Sequence, residues 1–182
     1  LEVFKERKNN KKLIINIITS DKCYSPQAKK EYHENDNLGG HDIYSASKSC
    51  QEIVTRSYYE SFFKNNKKII LTTFRAGNVI GGGDYAANRL FPDIARALNN
   101  KIRVKIRNPK STRPWQHIFD CLNGYLNTTI YCDKNNIQFS NWNFSPSYKS
   151  MTVEKIIYLL ISKKLINKDK ILFVKNFIKE SL

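Results

Sequence analysis

The run Leu13-Ile14-Ile15-Asn16-Ile17-Ile18 is apolar at five of its six positions and closes on Thr19. Near-continuous hydrophobicity, without alternation, marks a strand covered on both faces, so a buried parallel strand is predicted there. Residues 68–74 are β-branched and apolar and predict a second strand. Between the two, a polar loop over 20–42 reaches Gly39-Gly40 and gives way to a long helical pattern over about 44–63. Strand, helix and strand in that order predict an α/β sheet. Residues 1–8 read as the end of a helix. Past a glycine-rich loop at 75–88, residues 90–98 read as a short helix with Pro92 in its first turn. Residues 103–106 alternate as a strand does, and 119–131 read as a helix with Asp120 near its positive end. Residues 137–144 read as a strand. Thr152, with Glu154 behind it, is predicted to cap a helix running to about residue 161. Residues 163–182 carry no usable pattern.

Polar chemistry gathers at the ends of these elements. The first strand stops at Ser20-Asp21-Lys22, which sets a hydroxyl, an acid and an amine in succession. The long helix opens on Tyr44-Ser45-Ala46-Ser47-Lys48. Tyr44 and Lys48 are four apart and share a helical face. An ammonium held beside a phenol favours the phenolate, which makes a workable base of a group that ordinarily titrates near ~10. The plainer alternatives are a surface Tyr-Lys pair and a strand-end turn carrying an ion pair.

Composition narrows the classes. The chain has 182 residues, enough for one domain with a core of its own. It carries a net charge of +15, which raises nucleic-acid binding as a possibility. The lysines, however, are dispersed among Asn and Ile and form no phosphate-tracking stripe, so no nucleic-acid partner is expected. A positive field would instead draw in a sugar diphosphate. Cys23, Cys50, Cys121 and Cys132 include no Cys-x-x-Cys, and the three histidines show no ligand spacing, so no metal is expected. No apolar run is long enough to span a membrane and there is no signal-peptide start, so a soluble, cytoplasmic protein is expected.

Five stretches in order carry a family resemblance: Thr19-Ser20-Asp21-Lys22-Cys23-Tyr24; Gly39 to Lys48; Arg75-Ala76-Gly77-Asn78-Val79-Ile80-Gly81-Gly82-Gly83-Asp84; Ile106 to Pro109 with Arg113-Pro114-Trp115-Gln116-His117; and Trp142-Asn143-Phe144-Ser145-Pro146. Together they resemble the extended short-chain dehydrogenase/reductase family, and within it the nucleotide-sugar 4,6-dehydratases of the CDP-glucose branch. The resemblance implies a Rossmann-like doubly wound parallel sheet with a smaller C-terminal α/β substrate-binding domain. Residues 1–80 would supply the C-terminal half of the NAD-binding domain. Residues 81–182 would be mostly a sugar-nucleotide-binding subdomain, interleaved with the sheet.

The implied reaction oxidises the sugar at carbon 4 with NAD, eliminates water across carbons 5 and 6, and returns the hydride to carbon 6. By resemblance, Tyr44 takes the proton of the carbon-4 hydroxyl, and Lys48 supports Tyr44 and holds the nicotinamide ribose. Ser20 binds the carbon-4 oxygen, and Asp21 protonates the departing hydroxyl. Lys22 stands where many 4,6-dehydratases carry a glutamate. It is either the base for the carbon-5 proton or a charge that steadies the enolate. Ser20, Tyr44, Lys48 and Ala76 are expected at the cofactor; Asn78, Arg89 and Arg113 are expected at the substrate, CDP-glucose by this reading. Trp115 and Phe144 read as core or pocket wall.

The family's epimerases usually lack an acid–base pair after the strand-end hydroxyl, so Asp21-Lys22 favours dehydration. An Asp-Lys branch acting on UDP-N-acetylglucosamine has a much shorter loop before its Tyr-x-x-x-Lys. Tyr85 and Ser145 depart from residues common in the family, away from the proposed chemistry. The sequence contains no Gly-x-x-Gly-x-x-Gly, the loop that wraps the dinucleotide pyrophosphate near the start of the family's members, and Gly81-Gly82-Gly83 follows the wrong strand to replace it. The chain is therefore expected to be the C-terminal part of a larger enzyme, binding NAD weakly without that loop. A homodimer or homotetramer is implied, with Tyr58, Tyr59, Phe62 and Phe63 serving as either an outer face or core. Rival readings are another dehydratase or epimerase of the family, or an inactive remnant.

Overall fold

The predicted helices and strands form, and short strands form as well at 79–80, 112–113, 116–117, 151–152 and 171–173, where no pattern predicted one. The computed structural model describes residues 1–6, 10–27 and 31–174. In chain order the elements are α1 (Glu2–Lys5), β1 (Leu13–Ile18), α2 (Ile43–Tyr58), β2 (Ile69–Ala76), β3 (Val79–Ile80), α3 (Leu90–Asn99) and β4 (Val104–Ile106). There follow β5 (Thr112–Arg113), β6 (Gln116–His117), α4 (Ile118–Lys134), β7 (Phe139–Phe144), β8 (Met151–Thr152), α5 (Val153–Ser162) and β9 (Ile171–Phe173). Among the described residues the chain divides into two compact units. The path leaves the first after Gly77, re-enters it at Phe119 and leaves again after Ser145.

The first unit is built on a parallel sheet in the order β1-β2-β7. Ile15 is in register with Leu71, and Leu71 with Phe139. β2 is central, and all of its residues are buried. Successive side chains alternate across a strand, so Leu71, Thr73 and Arg75 turn to one face and Thr72 and Phe74 to the other. On the first face Ile15, Phe63, Ile69 and Leu71 form a core against which Leu13, Ile17, Tyr58 and Tyr59 pack. On the second face Phe74 stacks on Tyr125 and meets Phe144 edge-on, each with ring centroids 5.0 Å apart. Thr72 lies here with no exposure and donates its hydroxyl to Asn16 at 2.7 Å, as a buried hydroxyl must.

The helix expected over 44–63 is interrupted. α2 ends at Tyr58, and Tyr59–Phe63 form a π-helical turn. A π turn is one residue wider than an α turn. The aromatic run it carries is mainly core: Phe63 is buried and Tyr58 and Tyr59 pack beside it, while Phe62 is exposed.

In the second unit Ile94 and Ala97 of α3, Val104 and Ile106 of β4, Ile157 of α5 and Ile166 make the core. Thr152 caps α5 as predicted, its hydroxyl accepting from the Lys155 amide at 3.2 Å. β3 pairs in parallel with β6, and β5 antiparallel with β8. β9, in the patternless tail, pairs in parallel with β4. Its three residues are too few to show a period, and Leu172 and Phe173 are exposed. Among the described residues, no helix is long and apolar enough to cross a membrane.

Candidate active site

β1 delivers the chain to a short 3-10 turn, Asp21–Cys23. Ser20 stands in front of it with extended backbone, and its hydroxyl caps the turn by accepting from the Lys22 amide at 3.2 Å. The same hydroxyl donates to Asp21 Oδ1 at 3.1 Å. The Cys23 amide donates to the Ser20 carbonyl at 3.1 Å, which closes the turn. Ser20 is buried, whereas Asp21 and Lys22 are half-buried. The hydroxyl, acid and amine predicted from sequence are therefore held together on one turn at the end of a strand.

α2 begins because Asp42 caps it: the carboxylate accepts from the Ser45 amide at 3.0 Å and from the Ser45 hydroxyl at 2.6 Å. These hydrogen bonds hold the Asp42 carboxyl below its ordinary range. Tyr44, in the first turn, is 54% exposed, and Lys48 is half-buried. The Lys48 ammonium lies 5.8 Å from the centre of the Tyr44 ring and donates to Gln51 Oε1 at 3.3 Å. The helical spacing thus brings the phenol and the ammonium together on one face, accessible to a ligand.

Gly40 sets the approach to this helix. A Cβ at that position would lie 2.4 Å from Ser45 Cβ and 2.7 Å from the Ala46 amide nitrogen. The second contact is with backbone, which cannot swing aside. Gly40→Ala is expected to destabilise the fold by about 1–3 kcal/mol through overpacking, read as a lowered unfolding midpoint.

Two contacts tie α2 to the turn. The Ser49 hydroxyl donates to the Cys23 carbonyl at 2.7 Å. The Thr19 hydroxyl donates to Glu52 Oε1. Glu52 also receives both arms of Arg75, Nε at 2.9 Å and Nη2 at 2.8 Å, and the Thr73 hydroxyl at 2.7 Å. Glu52 is 3% exposed and Arg75 2%. Burial alone would raise the Glu52 carboxyl, but the hydrogen bonds from Arg75, Thr19 and Thr73 outweigh it and hold the group below its ordinary value. Burial likewise opposes the Arg75 charge, and Glu52 more than restores it. Arg75 Nη1 reaches the Tyr24 hydroxyl at 2.8 Å, which in turn donates to Asn143 at 2.6 Å.

This buried cluster has no counterpart among the residues that sequence reasoning selected for chemistry. Its signals were an arginine inside an otherwise uncharged strand and a glutamate one helical turn beyond Lys48.

Cys23, beside the turn, has no exposure, and burial pushes its thiol up to about 12 against the opposing pull of Arg75. Cys121 and Cys132 are buried as well, while Cys50 is exposed. Brief alkylation of the native protein followed by peptide mapping is expected to label Cys50 and spare the other three. Fast labelling of Cys23 would contradict this placement. Among the described residues no group of three or more His, Cys, Asp or Glu could hold a metal.

The remaining candidates fall at several places. Ala76, buried, ends β2 opposite Phe144. In the second unit the Asn78 carbonyl accepts from the Gln116 amide at 3.0 Å. Arg113 is half-buried on β5, with Nη1 donating to the Thr112 carbonyl at 3.2 Å. Arg89 is exposed just before α3 and pairs with Asp84 at 3.1 Å. Trp115 is 7% exposed, with its indole donating to the Met151 carbonyl at 3.2 Å, so it serves as core. Phe144 packs against Gly124, where a Cβ would lie 2.9 Å from the ring.

The family model described as GDP-mannose 4,6 dehydratase matches residues 1–173. The CDP-glucose 4,6-dehydratase of Salmonella typhimurium is 43% identical over 160 residues, covering 84% of this chain and 44% of that protein. Among solved structures, a UDP-glucuronic acid 4-epimerase from Bacillus cereus in complex with UDP-glucuronic acid and NAD superposes with a TM-score of 0.77 at 18% identity. That match covers 96% of this chain and 51% of the other. A dTDP-glucose 4,6-dehydratase from Bacillus anthracis in complex with NAD gives a TM-score of 0.68 at 18% identity, over 92% of this chain and 50% of the other. At these identities the structures establish the Rossmann-like α/β fold. The chain spans about half the length of the relatives it matches.

Proposed function

Because this chain belongs to the family described as GDP-mannose 4,6 dehydratase, we propose that it serves the NAD-dependent conversion of CDP-glucose to CDP-4-keto-6-deoxyglucose and water. The observation that carries the reading is the pairing of the Ser20-Asp21-Lys22 turn with the Tyr44–Lys48 helix, on a chain 43% identical to a CDP-glucose 4,6-dehydratase.

The residues present suit the ribose end of a dinucleotide. Tyr44 offers an exposed phenol and Lys48 an ammonium beside it, donors of the kind that ribose hydroxyls accept. The chain has no glycine-rich loop for the pyrophosphate. The chemistry supplied by NAD when bound is acceptance of hydride from sugar carbon 4 and its return to carbon 6. Tyr44 takes the carbon-4 hydroxyl proton as that carbon is oxidised. Ser20, its hydroxyl already fixed at the head of the turn, binds the carbon-4 oxygen. A ketone at carbon 4 acidifies the carbon-5 proton. Lys22 either removes that proton or steadies the enolate, and Asp21 protonates the hydroxyl leaving carbon 6. Ala76 lies along the cofactor, and Asn78, Arg89 and Arg113 receive the nucleotide diphosphate, for which guanidinium is well suited.

The same reading places the enzyme in the cytoplasm, pairs copies through α2, where Ile53 and Val54 are half exposed, and supplies deoxy sugars for surface polysaccharide. Incubating the protein with NAD and CDP-glucose tests it. Mass spectrometry should show a sugar nucleotide lighter by one water. A product of unchanged mass with an inverted carbon would mean epimerisation, and an unaltered substrate would mean an inactive chain.

A further inference from the structure

We propose that Thr19, Ser49 and Glu52 are positioning residues that fix the register of the Tyr44–Lys48 helix against the Ser20–Lys22 turn; the proposal rests on the catalytic roles given above. The contacts bracket the turn on both sides. Thr19, immediately before Ser20, donates to Glu52, and the Cys23 carbonyl, immediately after Lys22, accepts from Ser49 at 2.7 Å. On the helix, the two partners follow Lys48 by one residue and by one turn. The exposed dyad is thereby anchored to the turn through the buried residues next to it.

Register is what this arrangement controls. A slip of one residue along a helix rotates its side chains by roughly 100° and shifts them by ~1.5 Å. Such a slip would carry Tyr44 and Lys48 away from the turn. It would also strip Glu52 of its two threonine hydroxyls and its bidentate arginine together, leaving two buried charges unpaired. Burying an ion pair adds little stability over a well-packed apolar substitute. The specific gain lies in permitting only one alignment of helix and turn. Thr19 is 8% exposed, Ser49 4% and Glu52 3%, so water cannot replace the lost partners.

The test uses the full-length protein carrying Thr19→Val, Ser49→Ala or both. Thr19→Val keeps the shape and removes only the hydroxyl. The expected result is a kcat lowered on the order of 10- to 100-fold in the double variant, with KM for CDP-glucose changed by less than about twofold, as misalignment of reacting groups predicts. Thr19→Ser, which restores the hydroxyl, should recover most of the rate. Amide hydrogen exchange at Lys22 and Cys23, whose amides close the turn, should accelerate while that of β2 stays slow. An unchanged kcat in the folded double variant would overturn the proposal. So would a loss of rate accompanied by faster exchange throughout the sheet, which would signify general destabilisation. If the parent protein does not convert CDP-glucose, the functional reading fails on that result alone. Exchange then decides the positioning separately, and unaltered Lys22 and Cys23 amides in the double variant would refute it.

Discussion

Replacing Tyr44 with phenylalanine is expected to lower turnover of CDP-glucose by roughly 10²- to 10⁴-fold, the range that a positioned general base contributes. The fold should be untouched. Tyr44 is 54% exposed, and the cap of its helix is made by Asp42 and Ser45. The thermal midpoint of Tyr44→Phe should therefore match that of the parent, and KM should move little, because in the proposed reaction the phenol acts on a proton and not on the bulk of the substrate. A variant that keeps full turnover would remove Tyr44 from the chemistry.

Glu52→Gln is expected to have its largest effect on stability. It removes one charge from a pair that is 3% and 2% exposed and leaves Arg75 buried without its counterion. Breaking a buried pair in this way costs about 3–5 kcal/mol, which denaturant unfolding at neutral pH would report. The pH dependence follows from the direction of the shift. The folded carboxyl titrates below its ordinary value of 4.5. Its contribution is therefore complete above the unfolded value and is lost as pH falls through the lower, folded one. The parent should lose stability on acidification through that window. Glu52→Gln has no carboxyl to protonate, so its deficit relative to the parent should shrink towards low pH. A deficit constant with pH would show that Glu52 is not held as a carboxylate by Arg75.

Much of this was legible in the chain because two periodicities are strong where they count. The run 13–18 is apolar enough to name β1, and Ser20-Asp21-Lys22 falls at its end, where a strand must turn. Thr152 announced α5 through its cap. The four-residue spacing of Tyr44 and Lys48 is enough to put the pair on one helical face. What was illegible depends on partners distant in sequence. β9 is strand only because β4 offers it an edge. The π turn at Tyr59–Phe63 lies where Tyr59 and Phe63 pack with Ile15, Ile69 and Leu71 of the sheet. Glu52 and Arg75 are 23 positions apart in sequence and meet only when α2 packs on β2 and buries both. The chain's return to the first unit at Phe119 is likewise set by the pairing of β7 with β2, which no local pattern encodes.

In the proposed reaction the hydrogen taken from carbon 4 reappears on carbon 6 of the same sugar. CDP-glucose carrying deuterium at carbon 4 tests it directly. The product formed in ordinary water should carry the label in its carbon-6 methyl group, with no net reduction of NAD. A product labelled at carbon 4, or one that has lost the label to solvent, would contradict the account.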